Sequence, residues 1–474
     1  MATALEWLHA LQSPLRQRQT EMKLYESYYR GDHPLPFVTS KDRAKMQKEF
    51  QTLLEASRTN FCRLVVDSVE ERMRVDGFHT GDSDQMDAAA WEIWQANQMD
   101  VQSNVAFIES LVKGVSYISV WDDMDGDGLP DIAIEDPIEC IVAYEPGSNY
   151  RRRQAALKMW RDDWSGLERA DVYLPNSVWS YQRKALADTT TGTEMSRAAD
   201  MARQEEDWTL IRATSNPFGV VPIIPVRNRP RLLVEGESEL ADVFRIQDQI
   251  NGLVFLLALA GYMGAHRQRW ATGMPLMLDS KGDAVEPFNP SIARLWLSED
   301  PNTKFGDFEQ TNLDGYIKAI EQKVLHIAIT TRTPKHYLLP QGQEPSGDAI
   351  KSAESGLTQK VTRKQRPAGE ALEEAMRLAR MIQSGDEGPA DSEVVWASPE
   401  IRTEAEITDA SLKKFQANLI SHAQALEDMG YTPQQIEKIM AAAKAEAAEK
   451  QKQAIEQAQA LAATRPEPGN DPTA

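Results

Sequence analysis

From Ile246 onward the chain places Ile250, Leu253, Val254, Leu257, Ala260 and Gly261 at three- and four-residue steps, and Phe255, Leu256 and Leu259 fill the remaining face. This periodicity predicts a helix from Ser238 to Gly264, apolar almost all round at its end, that must pack against several neighbours. Ser238 suits its cap, and Glu237, Glu239 and Asp242 place negative charge where the helix dipole is positive. The uninterrupted apolar part falls short of the ~20 residues that span a bilayer, and Asp248, Gln249 and Asn251 precede it. Protein, not lipid, is therefore its predicted surrounding. A basic, aromatic stretch, His266, Arg267, Arg269 and Trp270, leaves the helix and combines charge with a ring suited to a partner or a phosphate.

The same reading applied along the chain predicts helix from Leu5 to Tyr29, with Pro14 breaking it into two pieces, and a second helix from Phe50 to Met73. A short helix from Met86 to Gln98 carries Trp91 and Trp94 on one side. Segments VSYISVWDD, LPDIAIEDP, ECIVAYE, AALKMWRD, ERADVYLP, VWSYQRK and DWTLIRAT then alternate apolar and polar positions between turn residues, which predicts a mostly antiparallel sheet. A Gly-, Pro- and Asp-rich β excursion follows from Trp270 to Phe308, and a helix from Leu313 to Ile329. The segment 331–348, broken by Pro334, Pro340, Pro345, Gly342 and Gly347, is longer than a plain helix connection needs. Helix resumes at Ala349 and runs to Ile382. Two more helices, 404–428 and 433–461, follow a Gly-Pro break, the second started by Thr432, Pro433 and Gln435 as a capping box, and the tail 463–474 has the composition of a disordered segment.

A length of 474 residues predicts more than one domain or an elongated subunit. The formal charge of −20 argues against a protein that clamps nucleic acid by neutralising phosphates, though not against one past which DNA slides. Cys62 and Cys140 sit in apolar runs and read as core residues, and the first residues lack the basic start and long apolar centre of a signal peptide. There is no GxxxxGK[ST] loop, no HExxH and no GxSxG, and the histidines have no ligand spacing, so no catalytic residue, cofactor or metal is expected. Asp123, Asp125, Asp127, Gly128 and Asp131 match the first half of a calcium loop, but Ile134 occupies the twelfth position. Strands flank the segment, and an acidic hairpin turn is the expectation. The basic groups Arg151 to Arg153, Arg227/Arg229/Arg231 and Arg363/Lys364/Arg366 read as solvated faces or inter-subunit salt bridges.

YESYYRGDHPLPF, NFCRLVVDSVEERMRVDGF, WEIWQANQMD and GESELADVFRIQDQINGLV leading to HRQRWATG, in this order of helices, β region, helix, β insert, helix, loop and long helix, resemble the portal proteins of tailed bacteriophages. The resemblance runs from about Leu5 to Ile382, and the C-terminal region is matched by helical character alone. It implies an α+β portal fold: a wing over 1–230, a first stem helix over 231–264, a clip over 265–310 and a second stem helix over 311–330. A tunnel loop over 331–348, a long helix over 349–384, a helical crown over 385–462 and a disordered tail complete the expected order.

What the resemblance implies for function is a homo-oligomeric ring of twelve subunits at one capsid vertex, a conduit for double-stranded DNA in packaging and ejection. Its implied partners are a terminase motor, a head-tail adaptor, and the major capsid and scaffolding proteins, with no membrane. The location is the virion, with assembly in the host cytoplasm. Thr333, Lys335, His336, Gln341 and Gln343 become the DNA-channel candidates, Arg267, Arg269 and Trp270 the adaptor candidates, and Ile250, Leu253 and Leu257 the subunit-interface candidates. A capsid-internal scaffold or adaptor, and a metal-dependent nucleic-acid enzyme built on the Asp123–Asp131 cluster, remain as alternatives.

Overall fold

The computed structural model describes residues 3–79, 86–122, 126, 128–184, 208–265, 269–272, 302–307, 312–339, 347–385, 392–400 and 404–463. It is an α+β chain that divides into two compact units, Met1–Lys23 with Val66–Glu239 and Pro345–Ala474, and Leu24–Val65 with Leu240–Glu344. The second unit thus takes in 24–65, a stretch that the expected wing 1–230 contains.

Helix α1, Ala4–Arg30, runs unbroken through Pro14. An internal proline removes one helical hydrogen bond and costs about 3 kcal/mol. Here Leu8, Leu11 and Leu15, flanking it, are all sunk into the core against Ile141, Leu157, Val172 and Tyr181, which offsets that cost and overrides the predicted break. The predicted helix 50–73 is two helices, and a short one precedes them: α2 Ser40–Lys45, α3 Lys48–Ala56 and α4 Cys62–Glu70.

In the first unit, β1 (Val75–His79) and α5 (Ala88–Ala96) lead to α6 (Met99–Lys113), a helix the hydrophobic pattern does not announce. Its buried stripe contains Ser103 and Ser110 beside Met99, Ala106, Phe107 and Leu111, so a count of apolar residues passes over it. All seven predicted strand segments form: β2 Val115–Trp121, β3 Asp131–Glu135, β4 Cys140–Tyr144, β5 Arg153–Asp162, β6 Leu167–Leu174, β7 Ser177–Lys184 and β8 Thr209–Ser215. They are joined by β9, Ile223–Arg227, in which Pro225 is tolerated because the strand lies at a sheet edge. β4 to β8 form an antiparallel meander in chain order, under α1, while β2 lies between β3 and β9 in a second antiparallel sheet. β2 and β3 pair as a hairpin with Trp121 opposite Asp131; Asp123, Asp125 and Asp127 lie outside the described residues. Cys62 and Cys140 are buried free thiols, and burial pushes both well up from their ordinary titration range.

The second unit holds α7 (Phe244–Ala265), β10 (Arg269–Thr272), β11 (Lys304–Asp307), α8 (Asp314–Thr331) and the single turn α9 (Lys335–Leu338). α7 packs on α8 and α3, and β10 pairs antiparallel with β11. α7 starts at Phe244, not at Ser238. In the first unit again, α10 (Gly347–Ser384) spans 38 residues through Pro367, and β12 (Glu393–Trp396) pairs with β1. The predicted helix 404–428 is divided into α11 (Glu404–Gln416) and α12 (His422–Asp428), with Asn418 at positive φ between them. α13, Pro433–Ala463, begins with the predicted reciprocal cap: Thr432 N donates to Gln435 Oε1 (3.0 Å) and Gln435 N to Thr432 Oγ1 (3.4 Å).

Candidate functional site

The GES segment that precedes α7 is held by the end of α6. Gly114 closes α6 at φ 89, a conformation that favours glycine. Its carbonyl accepts from Asn228 N (2.9 Å), Asn228 O accepts from Glu237 N (2.9 Å), and Leu111 O accepts from Glu239 N (2.8 Å). Ser238 does not cap a helix: its buried hydroxyl donates to Val112 O (2.5 Å). Gly236 crosses Gly114 so closely that a Cβ there would collide with the Gly114 carbonyl.

This path delivers Glu239 fully buried to a cluster of cations. Its carboxylate meets Lys360 Nζ (2.8 Å), Arg229 Nε (2.8 Å) and Lys364 Nζ, which also donates to Asn228 Oδ1 (2.5 Å). Burial alone would push the Glu239 carboxyl up, but Lys360, Lys364 and Arg229 outweigh it and hold the group well below the usual range. Burial lowers the Lys364 ammonium to about 8 in spite of Glu239. The sequence reading of Lys364 as a solvated or inter-subunit charge is corrected here; Arg363 and Arg366 are exposed as expected. A signal was present, since Lys360 and Lys364 share the helical face of buried Leu357, Val361, Ala368, Ala371 and Leu372. Arg229 pairs with Glu239 and Arg231 with Glu237 (3.3 Å), both within the chain.

In the second unit the first half of α7 buries amides. Gln247 Nε2 donates to Thr59 O (2.9 Å) and its Oε1 accepts from Phe61 N (2.9 Å), while Asn251 Oδ1 accepts from Thr59 N (2.9 Å). These bonds satisfy the turn between α3 and α4, which is why no continuous helix forms over 50–73. Asn251 Nδ2 donates to His33 Nε2 (2.7 Å), and the His33 ring stacks on Tyr28 at 4.4 Å, whose hydroxyl donates to Asp248 (2.7 Å). Burial, aided by Arg58, lowers the His33 imidazole to about 4.

Farther along, α7 and α8 turn apolar groups to solvent. On α8, Val324, Ile327 and Ala328 are buried, yet Ile317 is 44% and Ile329 68% exposed; on α7, Leu256 is 45% and Met263 46% exposed. Of the interface candidates, Ile250 is buried within the chain, whereas Leu253 and Leu257 are half-buried. Leu256, Met263, Ile317, Leu325 and Ile329 are exposed apolar positions that sequence reasoning did not name as interface candidates.

Of the segment 331–348, the described residues 331–339 carry the end of α8 and the turn α9. Thr331 is still helical, Arg332 turns left-handed at φ 58, and Thr333 N closes the end on Ala328 O (3.0 Å). Thr333 is buried with its hydroxyl 2.8 Å from that of Thr331, so it does not face solvent. Lys335 is exposed, and His336 is half-buried, edge-on to Tyr337 at 4.7 Å. Gly347 and Asp348 already belong to α10. Gln341, Gln343 and Arg267 lie outside the described residues; Arg269 and Trp270 stand on β10, opposite Asp307 and Gly306. Among the described residues no group of three or more His, Cys, Asp or Glu is placed to hold a metal, and no helix is long and apolar enough to cross a membrane.

Residues 8–458 match the family model described as phage portal protein, SPP1 Gp6-like. The chain is 30% identical over 410 residues to the portal protein of Mycobacterium phage D29, covering 81% of this chain and 78% of that protein. Similarity to the portal protein of Mycobacterium phage L5 is of the same order, 30% over 415 residues, or 83% and 79% of the two chains. A match that runs over nearly the whole chain shows that it belongs to the SPP1 Gp6-like family of phage portal proteins.

Proposed function

We propose that this chain forms a closed twelve-subunit ring at one vertex of a phage head and serves as the conduit for double-stranded DNA. The family match over 8–458 carries this reading. The apolar residues that α7 and α8 leave exposed support it, because side-by-side subunits in a ring would bury them. In this reading 1–230 is the wing, α7 and α8 are the stem, 265–310 is the clip that meets a head-tail adaptor through Arg267, Arg269 and Trp270, and 385–462 is the crown. A terminase supplies the ATP hydrolysis, since the chain has no nucleotide loop. The acidic balance suits a lumen that repels the duplex and lets it slide.

Lys335 and His336, beside the segment 340–346, are the proposed phosphate-facing groups, each lysine contact adding about one unit to the salt dependence of DNA binding. Negative-stain electron microscopy of the purified protein tests the ring: rings with a hole wide enough for a duplex are expected, and solid or open assemblies would refute the conduit. Deleting Leu339–Glu344 should leave rings intact and lower packaged DNA per particle, with Lys335→Ala having a modest effect; normal packaging by the deletion would remove the loop from the channel.

A further inference from the structure

In the first unit an open cleft of about 430 Å³ lies between the turn joining β4 to β5, the edge strand β9 and the middle of α10. Five arginines line it, Arg151, Arg153, Arg227, Arg377 and Arg380, against the carboxylates of Glu370, Glu373 and Glu374. On a chain with twenty more acidic than basic side chains, this is a local inversion of charge.

Two of the guanidinium groups are spoken for. Arg153 forks onto both oxygens of Glu374 (3.0 and 2.5 Å), and Arg380 pairs with Asp87. Glu373 turns one oxygen to Val394 N (3.1 Å). Arg227 donates to Tyr150 O (2.6 Å) and lies over the Tyr144 ring at 5.3 Å, but its Nε is buried with no hydrogen-bond partner. Arg151 and Arg377 are exposed; Arg151 N donates to Ser148 O (3.2 Å) while its guanidinium stays at the surface, and Arg377 lies in the field of Glu373. The turn that presents Arg151 is held with two successive non-glycine residues at positive φ, Asn149 at 52° and Tyr150 at 62°, a conformation that costs free energy and clusters at functional surfaces. Guanidinium forks in this number recognise carboxylates or phosphates in pairs.

We propose that this arginine cleft is an inter-subunit dock, taking a carboxylate-bearing segment from the neighbouring copy of the same chain. The proposal rests on the ring reading. A second copy suits the cleft because the chain carries 72 acidic against 52 basic side chains, so carboxylates are the charged groups that a neighbouring copy offers in excess. Arg151 and Arg377, the exposed arginines of the cleft, would grip the incoming acid.

The test places the photoreactive residue p-benzoylphenylalanine at position 377 and assembles rings from an equal mixture of nitrogen-14 and nitrogen-15 chains. Cross-links of mixed isotope composition, landing on a segment rich in Asp or Glu, are expected. In parallel, Arg151→Glu with Arg377→Glu should retain the wild-type melting temperature of the dissociated subunit and lower the salt concentration that disperses rings about two-fold. Cross-links confined to one isotope, or reaching only DNA or another head protein, would overturn the second-copy assignment, as would rings of unchanged salt resistance. Failure of the wild-type chain to form rings at all would refute the ring reading and the dock together, whereas rings that form normally without mixed cross-links would refute the dock alone.

Discussion

Gly236 passes over Gly114 with no room for a side chain: a Cβ on Gly236 would lie 2.8 Å from the Gly114 carbonyl carbon and closer still to its oxygen. The obstacle is backbone, which cannot swing aside. Gly236→Ala is therefore expected to lower stability by several kcal/mol, at the upper end of single substitutions. Gly166→Ala, at φ 65 with nothing within 4 Å of the new carbon, should cost only about 1 kcal/mol of conformational strain. Thermal melts of the two variants compare them, and equal shifts would show that the crossing yields.

Glu239 and Lys364 should respond unequally to neutralisation. Glu239→Gln leaves Lys360, Lys364 and Arg229 with no anion in a buried site, an expected loss of about 3–5 kcal/mol. Lys364→Met keeps two cations on the carboxylate and should cost less than half as much. Because the folded Lys364 titrates at about 8, below the 10.5 of the free side chain, the unfolded chain binds its proton more tightly. The contribution of this group to stability is full above pH 10.5 and is lost as pH falls through about 8. The gap between wild type and Lys364→Met in urea unfolding, followed from pH 7 to 10.5, checks the sign.

His33 gives an acid-side counterpart. Its folded value of about 4 lies below the ordinary 6.5, so its contribution is intact above pH 6.5 and fades as pH drops through about 4, where the stacked, neutral ring must take a proton. Unfolding free energies between pH 7 and 4 should fall more steeply for wild type than for His33→Phe. Parallel slopes would remove His33 from the acid response.

Ile329→Asp and Ile250→Asp separate assembly from folding. Ile329 is mostly exposed in the free chain, so a charge there should leave the melting curve of the subunit within about 0.5 kcal/mol and abolish rings in native mass spectrometry. Ile250 is buried, and Asp there should unfold the second unit outright. Intact rings from Ile329→Asp would place the subunit contact elsewhere than on α8.

Much of this architecture could be read from the residues, and the exceptions have physical causes. The strands were legible because short apolar or alternating runs stand between turn residues, as in β6, where buried Ala170 and Val172 flank Asp171, and the cap of α13 because Thr432 and Gln435 act within four residues of each other. Long-range packing was not legible. It carried α1 through Pro14, and buried amides from α7 split α3 from α4. The candidate site was legible as an order of elements and hardly as side chains: Ile250 and Thr333 proved buried, while Lys364 proved to be a core residue because a glutamate remote in sequence reaches it.

The amide clamp at the start of α7 has its own consequence. A carboxamide has no charge for counterions to screen, so the hydrogen bonds of Gln247 and Asn251 to Thr59 and Phe61 do not weaken as ionic strength rises. The Glu239 cluster just upstream is ionic, but it too is buried and screened only slightly. A head protein that handles packed DNA stands in a concentrated cloud of cations. In the proposed ring, the root of α7 is tied to the turn between α3 and α4 by bonds to which such a cloud is nearly blind, so changes in ion content as a head fills or empties would leave those bonds intact.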